Sequence, residues 1–166
     1  PPVIGSLVPP ADAVQPDLPP DAPPPGTQLA GHGGQCFGCG PRADGLGIRF
    51  YADTGVAVRS VFVASDRHQG APGFLHGGAI MSAFDECLGA PGMLVRLAAL
   101  TARLEVDFRA PVPVGTTVWV TSRITGVSGR KVYASGEARL GPDGPTAAVA
   151  TGLYVRIDPA RIAQGT

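Results

Sequence analysis

Residues 79–88 are the only stretch of this chain with a convincing helical pattern, and that scarcity constrains the fold more than any other feature. Ile80, Phe84, Cys87 and Leu88 recur at three- and four-residue spacing on one face, as a core-facing helix requires. Gly89 and Pro91 then end or kink it. The other patterned segments read as strands. Residues 46–51 and 56–63 are β-branched or aromatic runs separated by Ala52-Asp53-Thr54-Gly55, a hairpin signal. Leu104, Val106 and Phe108 alternate with Arg103, Glu105, Asp107 and Arg109, the period of a half-exposed strand, closed by Pro111 and Pro113. Residues 117–124, 132–140 and 147–157 supply three more, in the order β-β-α-β-β-β-β. One helix among so many antiparallel strands buries its apolar face only if the sheet wraps it. This predicts an α+β domain of about six strands around one central helix.

Composition sets the domain limits. Gly and Pro account for 17 of the first 40 residues but only 25 of the following 126. The same first 40 residues hold Asp12, Asp17 and Asp21 and no Lys or Arg. We therefore expect a Pro/Gly-rich acidic arm over 1–35, extended or polyproline-like and laid over the surface or a neighbouring subunit. A folded domain over 36–160 and a short tail over 161–166 follow. From residue 41 on, 13 basic residues face 10 acidic ones. This mild excess suits a small polyanionic ligand rather than nucleic acid. No apolar run approaches the roughly 18 residues of a membrane helix. The Pro1-Pro2-Val3-Ile4-Gly5 start has neither a basic region nor a continuous apolar stretch, so neither a secretory signal nor a transit peptide is expected. Three cysteines suit a reducing compartment, and the expected location is the cytoplasm. Cys36 and Cys39 form one C-x-x-C. A zinc site needs about four ligands, no second pair exists, and Cys87 lies far along the chain. His32 is near enough to be a third ligand. The expected reading is nevertheless two small side chains in a tight Gly-rich turn, with no metal.

The helix opens on His76-Gly77-Gly78. Glycine costs roughly 1 kcal/mol against Ala in a helix, so something other than helix stability favours it here. Missing side chains let a ligand approach, and first-turn N–H groups sit at the positive end of the helix dipole. Gly78 N–H is thus a natural oxyanion donor. The same pair would also permit close helix–sheet packing, and spacing alone leaves both readings open. Asp85 is a carboxylate in an otherwise apolar or small-residue helix, apart from Glu86. It lies seven residues after Gly78, roughly 10 Å along the axis. One carbon cannot touch both from a single helix, so the spacing predicts two helices paired antiparallel across a dimer. Glu86 faces elsewhere and is expected to be structural or solvated. His76 is expected to brace the loop or the acyl carbonyl region, His68 to do similar loop work. No G-x-S-x-G elbow is present, which argues against an α/β-hydrolase.

The run His76-Gly77-Gly78, with Asp85 nine positions after the His, resembles the hot-dog-fold acyl-CoA thioesterases of the PaaI-like group, and further their thioesterase superfamily member 4-like branch. Cys36-Phe37-Gly38-Cys39-Gly40, Leu100-Thr101-Ala102, Phe108-Arg109-Ala110-Pro111 and Gly129-Arg130-Lys131-Val132-Tyr133 carry the resemblance across about residues 36–157. It implies thioester hydrolysis of acyl-CoA, or of an acyl carrier protein thioester, without metal or nucleotide cofactor, in a homodimer or dimer of dimers. It also implies that Gly78 polarises the carbonyl while Asp85 of the facing subunit acts as base or nucleophile. Thr101 would orient the water or Asp85. Coenzyme A contacts would fall on Arg109, Arg130, Lys131 and Asp107, although an acidic side chain repels phosphate and Asp107 could serve only the pantetheine. The alternatives are an acyl-CoA binder without turnover and a hot-dog hydratase, which would need a His–Asp pair arranged differently. Phe74, Leu75, Met81 and Phe84 are expected around the acyl chain.

Overall fold

A computed structural model describes residues 5–158, so the expected 161–166 tail and residues 1–4 of the arm lie outside the described residues. The elements run β1 (Gln28–Leu29), β2 (Arg49–Ala52), β3 (Ala57–Val63), α1 (Gly77–Gly89), β4 (Ala99–Phe108), β5 (Thr117–Ser128), β6 (Lys131–Leu140) and β7 (Thr146–Arg156). All pairings are antiparallel, in the order β1-β2-β3-β5-β6-β7-β4. The sheet has seven strands rather than six because Gln28 and Leu29, inside the Pro-rich arm, pair with Tyr51 and Phe50. Two residues carry too little periodicity to be read as a strand.

The core lies between α1 and the concave face of the sheet. Ile80, Phe84, Cys87 and Leu88 are buried on α1, facing Val58, Val118, Val120 and Ile124 from β3 and β5. Burial pushes the Cys87 thiol up to about 12, so it is a packing group and not a nucleophile. Two glycines bring helix and sheet together. A Cβ on Gly136 would lie 2.8 Å from Leu88 Cδ2, and one on Gly152 3.3 Å from Leu88 Cδ1. In mid-strand, where glycine otherwise weakens a sheet, they let Leu88 approach the backbone. Buried Ser122 donates to the Cys87 carbonyl at 2.7 Å, fixing the C-terminal turn of α1 to β5. Beyond Gly89 the chain tightens into a 3₁₀ helix, Ala90–Val95, with Pro91 in its first turn, where a missing N–H costs nothing.

The arm is laid on its own subunit. Val14 exchanges backbone hydrogen bonds of 2.9 and 2.8 Å with Val127, and Gln15 Nε2 donates to Thr125 O at 2.8 Å. It crosses β5 at a register shift between Ile124 and Gly126. A Cβ on Gly126 would sit 3.0 Å from that of Ala13, so the glycine admits the arm. Asp21 pairs with Arg96. At the opposite edge of the sheet, β4 pairs only with β7 and exposes Leu100 and Phe108. Among the described residues no helix is long and apolar enough to cross a membrane.

Candidate active site

His76 is the N-cap of α1: its backbone is extended, and its Nδ1 accepts the Gly78 N–H at 2.9 Å. This corrects the expectation of a free Gly78 N–H. A capping side chain satisfies one of the four orphan donors of a helix start, and here it has taken Gly78. The Ala79 N–H turns back to the His76 carbonyl at 2.9 Å. That leaves the Gly77 N–H as the first-turn donor with no acceptor among the described residues. It is exposed, and a Cβ there would lie 3.6 Å from the Phe108 ring. The first-turn N–H left open is therefore one residue earlier than the spacing suggested. His76→Ala is expected to cost about 1 kcal/mol of stability through loss of the cap. The shift appears as a thermal midpoint lower by several degrees in a melt followed by circular dichroism.

Asp85 sits two turns on, exposed, with its Oδ1 accepting the Thr101 hydroxyl at 2.6 Å. Thr101 comes from β4, which lies beside α1, with Thr101 near Asp85 and Phe108 near Gly77. A short hydrogen bond to an ionised acceptor is of the strong kind. It fixes the carboxylate, and Oδ2 has no hydrogen-bond partner among the described residues. Tyr154, buried on β7, donates its hydroxyl to the Asp85 carbonyl at 3.0 Å. Burial, with the Asp85 charge second, pushes the phenol above its ordinary range, so it stays a protonated brace. Tyr154 escapes sequence reading because it is one apolar-looking residue in a strand pattern, 69 positions from its partner.

Asp85 and Thr101 stand in the wall of a cavity of about 620 Å³, otherwise mostly apolar, with Met93, Leu97, Leu100 and Val132 among its lining. The expected acyl-lining residues are elsewhere. Leu75 and Phe84 are core, and Phe74 is exposed. Met81 lines a shallower groove on the other side of Asp85, with Leu104 and Cys36. His68 does loop work, its Nε2 meeting the Asp44 carbonyl at 3.0 Å.

The expected phosphate ligands divide into two groups. Lys131 pairs in register with Val155, opposite Leu100, whereas Asp107 pairs with Val149. That is six rungs along β7, about 20 Å at the strand rise. Arg130 donates to the Arg156 carbonyl at the β5–β6 hairpin end. Arg109 pairs with Asp107 at 3.3 Å. One chain does not bring Arg109 to Arg130 and Lys131, and Asp107 serves as a partner for Arg109.

Residues 72–147 match the thioesterase superfamily. The chain is 32% identical over 119 residues to Acyl-coenzyme A thioesterase THEM4 of Xenopus laevis, covering 70% of this chain and 54% of that protein. It thus spans about half the length of the relatives it matches. A solved thioesterase superfamily protein superposes with a TM-score of 0.62 at 27% identity, over 67% of this chain and 54% of the other. The Escherichia coli PaaI protein of the phenylacetic acid degradation operon gives 0.62 at 20% identity, over 68% and 81%. The helix wrapped by an antiparallel sheet is the hot-dog arrangement of these neighbours.

Proposed function

We propose that this chain, whose residues 72–147 match the thioesterase superfamily, hydrolyses acyl-CoA thioesters to the free acid and the thiol. The observation that carries this reading is the Thr101–Asp85 hydrogen bond in the wall of an apolar cavity. An oriented carboxylate beside an apolar chamber is what a water-activating base for an acyl substrate needs. The name of the Xenopus laevis relative supports coenzyme A as the carrier.

In the mechanism Asp85 Oδ2 takes a proton from water as the water oxygen attacks the thioester carbon. The carbonyl oxygen gathers negative charge and is met by the Gly77 N–H at the positive end of α1. Collapse breaks the C–S bond, and the proton held by Asp85 passes to the leaving thiolate. No serine or cysteine nucleophile takes part. Gly77 and Asp85 lie eight residues apart, about 12 Å along one helix, too far for one carbonyl. The reaction centre is therefore shared by two copies, Gly77 of one helix facing Asp85 of the other. The exposed β4 edge with Leu100 and Phe108 suits such pairing. Across that pairing Arg109 of one copy and Arg130 and Lys131 of the other share the coenzyme A phosphates.

A hydrolysis panel of short, medium, long and aryl acyl-CoA substrates, followed by release of free thiol, tests this reading. Tight acyl-CoA binding without turnover across the panel would replace it with a binding role. Thr101→Val keeps shape but removes the donor. It is expected to lower kcat about 10- to 100-fold, the loss of one hydrogen bond to a charged group, with KM little changed. Steady-state kinetics with the best substrate of the panel checks it.

A further inference from the structure

We propose that His32, Cys36, Cys39 and Glu86 form a structural zinc site that ties the segment entering the domain to the helix carrying Asp85. Nothing in the hydrolysis uses these four residues. Three come from one turn and the fourth from α1, 47 positions beyond Cys39, yet their donor atoms all lie within 4.8 Å of one another. His32 Nδ1 is 2.8 Å from Glu86 Oε1, Cys36 Sγ is 3.5 Å from the same oxygen, and Cys39 Sγ is 3.6 Å from His32 Nδ1. Tetrahedral zinc, with bonds of about 2.3 Å to sulfur and about 2.0–2.1 Å to nitrogen or oxygen, sets its ligands roughly 3.3–3.8 Å apart. The four donors close on such a polyhedron with shifts of about 1 Å.

The donor chemistry selects the ion. Two thiolates with an imidazole and a carboxylate suit a borderline-soft cation, and soft sulfur ligands disfavour magnesium or calcium. Four protein ligands leave no open position, which is the structural rather than the catalytic pattern. On binding, the two thiols release their protons and the imidazole binds through Nδ1.

The surroundings are built for the four donors. The His32 N–H points at Cys39 Sγ at 3.1 Å and the Cys39 N–H at Cys36 Sγ at 3.5 Å, the outer hydrogen bonds that orient thiolate ligands. The turn is held by Gly40 N–H to Cys36 O, Leu46 N–H to Phe37 O and Ile48 N–H to Gly38 O, at 2.8–2.9 Å. A Cβ on Gly38 would come within 2.7 Å of the Glu86 side chain, and one on Gly31 within 2.9 Å of Cys39 Sγ. Side chains at either position would push the donors apart. Glu86 follows Asp85, and Cys36, Glu86 and Asp85 line one groove. The ion thus rivets the groove wall to the turn of α1 that bears Asp85.

The test is metal content of the full chain purified under reducing conditions, followed by titration of the metal-stripped protein with Zn²⁺ and with Co²⁺. Expected are about one zinc per chain retained through desalting, and thiolate-to-cobalt charge transfer with the visible bands of a tetrahedral site. The pair Cys36→Ser and Cys39→Ser abolishes both, and Glu86→Gln weakens Zn²⁺ at least about tenfold, since even outer-shell losses cost that much. The proposal falls if reduced wild type neither retains zinc nor gives the cobalt spectrum. It also falls if the double variant binds Zn²⁺ as tightly as wild type. Should the double variant not fold, the wild-type spectrum decides alone, because the remaining cysteine, Cys87, is fully buried in the core. The readouts are metal content and absorption rather than turnover, so they stand apart from the hydrolase reading.

Discussion

Asp85→Asn is expected to cut kcat for acyl-CoA hydrolysis about a thousandfold while leaving the melting midpoint within a few degrees of wild type. The amide keeps the volume and can still meet the Thr101 hydroxyl at the position of Oδ1. It cannot take a proton from water. General-base contributions run from about a hundredfold to ten-thousandfold, and this carboxylate is held at the cavity wall by Thr101. Asp85 is exposed, so the fold loses little. Thiol release by the variant, compared with wild type at saturating substrate, measures it. A variant with undiminished turnover would remove Asp85 from the chemistry.

Gly77→Pro is expected to lower kcat by a comparable margin, about a hundredfold to a thousandfold, the range for loss of one oxyanion donor. The substitution is chosen because position 77 is the first helical residue, where proline is well tolerated. His76 before it is already extended, as a residue preceding proline prefers. The change therefore deletes the N–H and little else. If Gly77 of one copy works with Asp85 of the other, the two inactive variants complement each other. Mixed and allowed to exchange subunits, Asp85→Asn and Gly77→Pro chains form heterodimers with one intact centre. Activity then rises to roughly a quarter of wild type, because half of the dimers are mixed and each has one of two sites. No recovery despite demonstrated subunit exchange would place both groups in one chain's site and overturn the shared centre. Equal activity of Gly77→Pro and wild type would return the donor role to Gly78.

The helix was legible because its period and burial coincide: Ile80, Phe84, Cys87 and Leu88 were read as inward and all four are buried. The long strands were legible for the same reason, alternation along β5 placing Val118, Val120 and Ile124 inside. Strand β1 was not, since two residues in a Pro-rich arm carry no period and acquire strand geometry only from Phe50 and Tyr51 opposite. Among the candidate site residues, His76, Gly77, Gly78 and Asp85 stood out because they break helix propensity or polarity within nine positions. Which glycine offers a free N–H did not, because that depends on the rotamer by which His76 caps its own helix. Glu86 looked like a solvated helix residue, and only packing of the Cys36–Cys39 turn against α1 gives it partners.

The sequence by itself determined an α+β chain with one helix that must be wrapped, and marked that helix's first turn and its Asp85 carboxylate. Periodicity and propensity are local, so a single chain pattern carries them. Tertiary structure alone decided which donors and acceptors remain unspent: Thr101 on Asp85, Tyr154 behind it, His76 on Gly78, and four metal-type donors gathered from the entering segment and α1. The physical reason is that a hydrogen-bonding group has only as much capacity as its neighbours leave it. Those neighbours, from 2 to 69 positions away in the chain, are set by how the sheet closes around the helix.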